Sequence, residues 1–249
     1  YNVMYAVKAN SNLQVINRIF TNGIKMFDVA SIEELSIVRK LFGNKCEPFF
    51  FNPIRSIDCI DTAVKHYNCL NFSVDNIAEI QKLKNHINSK YKLNIYIRLI
   101  GDPSNDSFKI NDKFGCNLKE ATAIREIADT CNYNIGYSFH VGSQCFDVNK
   151  YVKMIKIVDN FIRKDDIGVS IGGGFPIVYK PDENYDILSF FTKINNTISE
   201  SKNLYNKNIF AEPGRALVAN SQFLITSIVG INGNKLYIND GGYGVLFDA

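Results

Sequence analysis

The chain has 249 residues, enough for one large domain or two small ones, and its 46% hydrophobic and 21% charged content excludes disorder, collagen and coiled coil. With 28 Lys+Arg against 25 Asp+Glu, the net charge of +3 comes without a basic run, so nothing electrostatic points to nucleic acid or an anionic membrane. The longest apolar run, from Phe223 to Ile231, is broken by Thr226 and Ser227 and is too short to span a bilayer.

In chain order, short apolar and β-branched runs alternate with amphipathic segments. Val3 to Val7 predicts a first strand and Asn12 to Thr21 a helix. Lys25 to Ala30 is the second strand, and Ser31 caps the next helix with Glu34 three residues on, the capping-box spacing. Pro48 to Phe51 is the third strand and Ser56 a helix cap; Leu70 to Val74 is the fourth, with a helix reaching Tyr91. Asn94 to Ile100 precedes a polar loop and a helix from Leu118 to Cys131. Ile135 to Val141 leads into a helix over Val148 to Lys164, and Ile167 to Ile171 into one over Asp186 to Glu200. Ile209 to Ala211 is the eighth strand. Eight such steps predict parallel βαβ units closed into a (β/α)8 TIM-type barrel over residues 1–215; an open doubly wound sheet is the competing architecture. After Arg215 the rhythm changes. Phe223 to Gly230 and Lys235 to Ile238 flank the turn Asn232-Gly233-Asn234, so residues 216–249 read as the beginning of an all-β domain that is cut off.

Nearly every strand ends in a residue that an apolar core would reject. Lys8 closes the first, Asp28 lies near the end of the second, and Asp75 follows the fourth. Arg98 lies in the fifth, His140 ends the sixth, Gly172-Gly173-Gly174 the seventh and Glu212 the eighth. Singly, each has a bland account as a snorkelling lysine, a hydrogen-bonded core histidine or a tight turn. A barrel brings these ends to one face, where such mixed charges must pair with each other or with a ligand. The three glycines leave backbone N–H groups open to an anion, and Glu212-Pro213-Gly214-Arg215 adds a cation beside them. Neither a P-loop, a dinucleotide fingerprint nor a G-x-S-x-G elbow occurs, and His66, His86 and His140 lack zinc-site spacing, so no metal is expected. An amine, an imidazole, a carboxylate and an anion cradle are the parts that pyridoxal phosphate requires. The six cysteines show no C-x-x-C, which predicts reduced thiols in a cytoplasmic protein. The chain opens at Tyr1 within a strand-like run and closes at Ala249 after another, which reads as a piece of a longer protein.

Tyr5-Ala6-Val7-Lys8-Ala9-Asn10, Phe27-Asp28-Val29-Ala30-Ser31, Lys113-Phe114-Gly115 and His140-Val141-Gly142-Ser143-Gln144 occur in order. Gly172-Gly173-Gly174-Phe175-Pro176, Glu212-Pro213-Gly214-Arg215 and Asn239-Asp240-Gly241 follow. Together they resemble the ornithine decarboxylase family, the group IV PLP-dependent decarboxylases of alanine-racemase fold. The resemblance implies that Lys8 is the Schiff-base lysine, His140 the residue stacked on the cofactor ring, and Glu212 the carboxylate on the pyridine nitrogen. It implies a phosphate site from Ser143, Gly172, Gly173, Gly174, Gly214 and Arg215, a surrounding network of Asp28, Glu34 and Arg98, and a substrate-amine carboxylate at Asp248. The implied reaction is decarboxylation of a basic amino acid, ornithine to putrescine first, with diaminopimelate, lysine or arginine as alternatives. Diaminopimelate decarboxylases share the YAVKAN and EPGR matches but usually carry H-I-G-S-Q and a glycine run not followed by Phe-Pro. Alanine racemases typically set an Arg against the pyridine nitrogen. A non-catalytic regulatory relative is the alternative of another class. The resemblance further implies a homodimer with shared active sites, to which a Cys-Asp pair and a Tyr beyond Ala249 contribute.

Overall fold

The computed structural model describes all residues except 101–112, 180–184, 242–243 and 245–249. The chain divides into two compact units, Tyr1–Leu217 and Val218–Ala249.

In the first unit, eight strands form a closed parallel barrel in sequence order. They are β1 (Asn2–Ala6), β2 (Met26–Val29), β3 (Glu47–Phe50), β4 (Asn71–Val74), β5 (Asn94–Leu99), β6 (Asn134–Phe139), β7 (Gly168–Ser170) and β8 (Asn208–Ala211). Closure is made by Asn2 opposite Phe210 and Val3 opposite Ala211. The connecting helices are α1 (Leu13–Thr21), α2 (Ile32–Phe42), α3 (Ile57–Lys65), α4 (Ile77–His86), α5 (Leu118–Asp129), α6 (Val148–Phe161) and α7 (Ile187–Ser199), with a short α8 (Arg215–Val218) after β8.

Each long helix starts where a polar side chain accepts one of its orphan N–H groups: Asn12, Ser31, Ser56, Asn76, Asn117, Asp147 and Asp186. The capping box occurs at Asn117 and Glu120, a pairing absent from the sequence expectations. Glu34 instead reaches past Ser31 to accept the Ala30 N–H at 2.7 Å. Helix α4 stops at His86, short of Tyr91, because the Asn88 side chain accepts the Lys90 N–H and offers the backbone a local turn.

Strand periodicity explains the barrel interior. Met4, Phe49, Phe51, Tyr96 and Phe210 form one buried cluster, with Met26 and Ile167 packed against it. At the N-terminal ends of the strands, side-chain amides run in a ladder. Asn134 Nδ2 donates to Asn94 Oδ1 at 2.8 Å, Asn94 Nδ2 to Asn71 Oδ1 at 2.7 Å, and Asn71 Nδ2 to Glu47 Oε1 at 3.2 Å. Two residues above the apolar layer, on the same strand face, Met26 is followed by Asp28, Tyr96 by Arg98 and Phe210 by Glu212. The site is therefore built on an apolar plug. Near the opposite end, Arg125 of α5 is buried and pairs with Asp166 at 2.5 Å and Asp129 at 2.8 Å.

In the second unit, β9 (Ile228–Asn232) and β10 (Lys235–Ile238) form an antiparallel hairpin. Gly233, at φ +57°, opens the two-residue turn. The strand expected from Phe223 begins only at Ile228. Before it, the Thr226 hydroxyl and Ser227 N–H both donate to the Asn239 side chain, at 2.5 and 3.0 Å. Among the described residues, no helix is long and apolar enough to cross a membrane.

Candidate active site

The C-terminal ends of the strands gather the polar and charged groups at one mouth of the barrel. Lys8 sits in a 3-10 turn (Val7–Ala9) directly after β1, its side chain 61% exposed, with Nζ 3.9 Å from Oδ2 of the buried Asp28. Burial pushes the Asp28 carboxyl up, while Lys8 and Arg98 pull it back towards ionisation. Glu34 is raised for the same reason, with the Asp28 charge adding to it and Lys8 opposing. Its bond to the Ala30 N–H anchors it behind Asp28. Arg98 lies over the Phe114 ring at 5.3 Å. Asp75 accepts the Gly115 N–H at 3.0 Å, fixing the chain beside it.

Glu212 is partly buried at the end of β8. Desolvation, with the Asp28 charge, pushes its carboxyl up to about 7, against the Ser170 hydroxyl, Arg98 and Lys8. The Ser170 hydroxyl donates directly to Glu212 Oε1 and also accepts the Gly172 N–H at 3.2 Å. His140 Nδ1 accepts the Gly142 N–H at 3.0 Å, which leaves the ring proton to Nε2. Desolvation, then the Arg98 and Lys8 charges, pull the imidazole down to about 3, so it stays neutral.

The glycine run is wedged among backbone atoms. A Cβ on Gly172 would overlap the Phe139 carbonyl oxygen, and one on Gly174 the Gly142 carbonyl oxygen. One on Gly173 would stand 2.5 Å from the Glu212 carbonyl oxygen. Gly172 and Gly174 have φ +71° and +88°. Gly214 is equally close-set, with a Cβ there meeting that of Ala9 at 2.8 Å. Arg215 turns to Tyr179, its Nη1 donating to the hydroxyl at 3.1 Å. Ser143 lies exposed in the loop after β6, and beside it Gln144 holds both the N–H (2.9 Å) and the carbonyl (3.1 Å) of Ile177. The barrel mouth thus brings together Lys8, Asp28, Glu34, Arg98, His140 and Glu212, with the glycines of the loops after β7 and β8 alongside. Asp248 lies outside the described residues.

The residues present fit pyridoxal phosphate. A run of glycines that admits no Cβ suits an anion, a partly buried carboxylate held near neutrality suits a protonated ring nitrogen, and an exposed amine suits an aldehyde. Two members of this constellation escaped the sequence: Ser170, which holds Glu212, and Tyr151 on α6, whose hydroxyl donates to the Gly173 carbonyl at 2.7 Å. Ser170 stands two residues before Gly172, on the strand face that leads into the mouth, and that spacing is the signal that could have found it. No comparable mark distinguishes Tyr151 from an ordinary core aromatic.

Comparison with known proteins agrees. Residues 1–219 match the family model described as the pyridoxal-dependent decarboxylase, pyridoxal binding domain. The ornithine decarboxylase of Candida albicans is 34% identical over 282 aligned positions, covering 98% of this chain and 56% of its own length. Antizyme inhibitor 2 of Xenopus laevis is 29% identical, covering 96% of this chain and 56% of its own. The crystal structure of the lysine/ornithine decarboxylase from Vibrio vulnificus, complexed with cadaverine, superimposes with a TM-score of 0.78 at 30% identity. That match covers 99% of this chain and 65% of the other. The chain belongs to the pyridoxal-dependent decarboxylase family and carries its pyridoxal-binding barrel. It spans a little over half the length of these curated relatives.

Proposed function

We propose that the protein decarboxylates a basic amino acid, with L-ornithine to putrescine as the leading reaction and lysine, arginine or diaminopimelate as the other substrates of this class. The observation that carries the reading is the Glu212 carboxylate, tied to Ser170 and pushed up to about 7 at the base of a mouth that also holds Lys8 and His140. Residues 1–215 serve as the cofactor barrel and 216–249 as the start of a β-domain. The division of the chain at Leu217 and the hairpin that follows support that reading.

When bound, pyridoxal phosphate supplies an electron sink for the electrons released as CO2 leaves. Lys8 would hold the aldehyde end through Nζ. Glu212 would keep a proton on the ring nitrogen by a charge-assisted hydrogen bond, and Ser170 orients that carboxylate. His140, neutral and wedged beside the glycines, would cover one face of the ring. Gly173, Gly174, Gly214, Arg215 and Ser143 would hold the phosphate, and Gly172, its N–H given to Ser170, would line the cradle. Asp28, Glu34 and Arg98 would balance charge around Lys8, and Asp248 would take the substrate's distal amine. We place the protein in the cytoplasm, a reading supported by six free cysteines, and as a homodimer with shared sites, as the family resemblance implies.

The similarity to antizyme inhibitor 2 supports a second reading, a regulatory relative that does no chemistry. The presence of Lys8, His140 and Glu212 favours the enzyme. The test is CO2 release by the full-length protein from ornithine, lysine, arginine and diaminopimelate in turn. Turnover of one of them is expected. A protein that binds pyridoxal phosphate yet releases CO2 from none would overturn the enzymatic reading.

A further inference from the structure

The carbonyls of the glycine run are all occupied, each by a different element. Gly172 C=O accepts the Glu212 N–H at 2.8 Å, Gly173 C=O the Tyr151 hydroxyl at 2.7 Å, and Gly174 C=O the Cys145 N–H at 2.8 Å. In a trans peptide the carbonyl and the following N–H point in opposite directions. Fixing three carbonyls therefore turns the N–H groups of Gly173, Gly174 and Phe175 away from those partners. None of the three donates to an acceptor among the described residues. Successive N–H groups arrayed in this way form an anion-binding concavity.

Two of the three tethers are backbone groups that any sequence could supply. The middle one is a side chain. Tyr151 is fully buried on the first turn of α6, its ring stacked on Phe175 at 5.5 Å and 12° and edge-on to Phe190 at 5.5 Å. Those ring contacts need no hydroxyl. The hydroxyl has one described partner, the Gly173 carbonyl, and a buried phenol must find an acceptor.

We propose that Tyr151 is a positioning residue for the cofactor phosphate: its hydroxyl locks the Gly173–Gly174 peptide plane so that the Gly174 N–H faces the anion. This rests on reading the glycine run as the phosphate cradle. Without the tether, the middle plane is free to rotate and the array loses its central donor.

The experiment compares full-length wild type and Tyr151→Phe, which keeps the ring and deletes the hydroxyl. Affinity is measured for pyridoxal phosphate and for pyridoxal, which lacks the phosphate, and the 31P resonance of the bound cofactor is recorded. Loss of one neutral hydrogen bond predicts about a three- to tenfold weaker affinity for pyridoxal phosphate, unchanged affinity for pyridoxal, and a shifted 31P signal. Equal weakening for both ligands, or no weakening with an unmoved 31P signal, would overturn the proposal. If wild type binds pyridoxal as tightly as pyridoxal phosphate, the cradle reading itself fails, an outcome distinct from failure of the Tyr151 role. Should the variant not fold, selective 15N-glycine labelling of wild type decides. The Gly173 and Gly174 amides must shift when pyridoxal phosphate replaces pyridoxal, and amides that stay put refute the inference.

Discussion

Glu212→Gln should stabilise the apo-protein while removing its chemistry. In the folded chain the carboxyl is pushed up to about 7, whereas an unfolded glutamate titrates near its ordinary value of about 4.5. A group raised in the fold contributes stability that is complete below the unfolded value and is lost as pH rises through the folded one. The difference amounts to about 3 kcal/mol by pH 8 at 1.36 kcal/mol per pH unit, an upper figure because water entering the open mouth screens part of it. Glutamine matches the shape, carries no charge, and can give its amide to Ser170. Urea unfolding of cofactor-free wild type and variant should coincide near pH 4.5 and diverge towards pH 8, with Glu212→Gln the more stable by up to ~3 kcal/mol. The same variant, reloaded with pyridoxal phosphate, should lose decarboxylation by orders of magnitude. A stability difference that does not grow with pH would refute the desolvation argument, and full turnover would refute the role at the ring nitrogen.

Borohydride reduction of the cofactor-loaded protein followed by peptide mapping should place the pyridoxyl group on Lys8, and an adduct on another lysine would remove it from the site. Gly174→Ala forces a side chain into the Gly142 carbonyl at φ +88°. It should abolish retention of pyridoxal phosphate on gel filtration and destabilise by about 1–3 kcal/mol, and retention at wild-type level would show that the loop adapts. Arg125→Met leaves Asp166 buried beside an apolar chain, so the urea midpoint should fall by the equivalent of about 3–5 kcal/mol, with most of the loss recovered when Asp166→Leu is added. No recovery would mean that Arg125 acts through its bond to Asp129.

The barrel was legible because its strands and helices differ in period, and each helix start carries its own cap, as Asn12, Ser31 and Ser56 do. The charged rim was legible for the same reason, since a lysine or glutamate closing an apolar run has no place in a core. The supporting residues were not. Ser170 carried only its spacing from Gly172, and it takes the pairing of β7 with β8 to put its hydroxyl on Glu212. Tyr151 lies on the apolar face of an amphipathic helix, where a tether to a loop looks the same as packing. The early end of α4 at Asn88, and the late start of β9 after Ser227, arose from side chains that bond their own neighbourhood in place of the regular ladder. Local competition of that kind leaves no periodic trace.

The amide ladder at the floor of the barrel works as a vernier for the mouth. Asn71, Asn94 and Asn134 stand opposite one another in register. Four residues further along the same faces come Asp75, Arg98 and Ser138, and Arg98 is indeed paired with Ser138. A slip of one residue would turn each of these side chains to the other face of the sheet and would break every amide-to-amide bond at once. Between floor and mouth the same faces carry Ser73, Tyr96 and Gly136, which add no amide ladder of their own. The height at which Arg98 meets the other charged groups is thus set about four residues away, by three asparagines that touch nothing reactive.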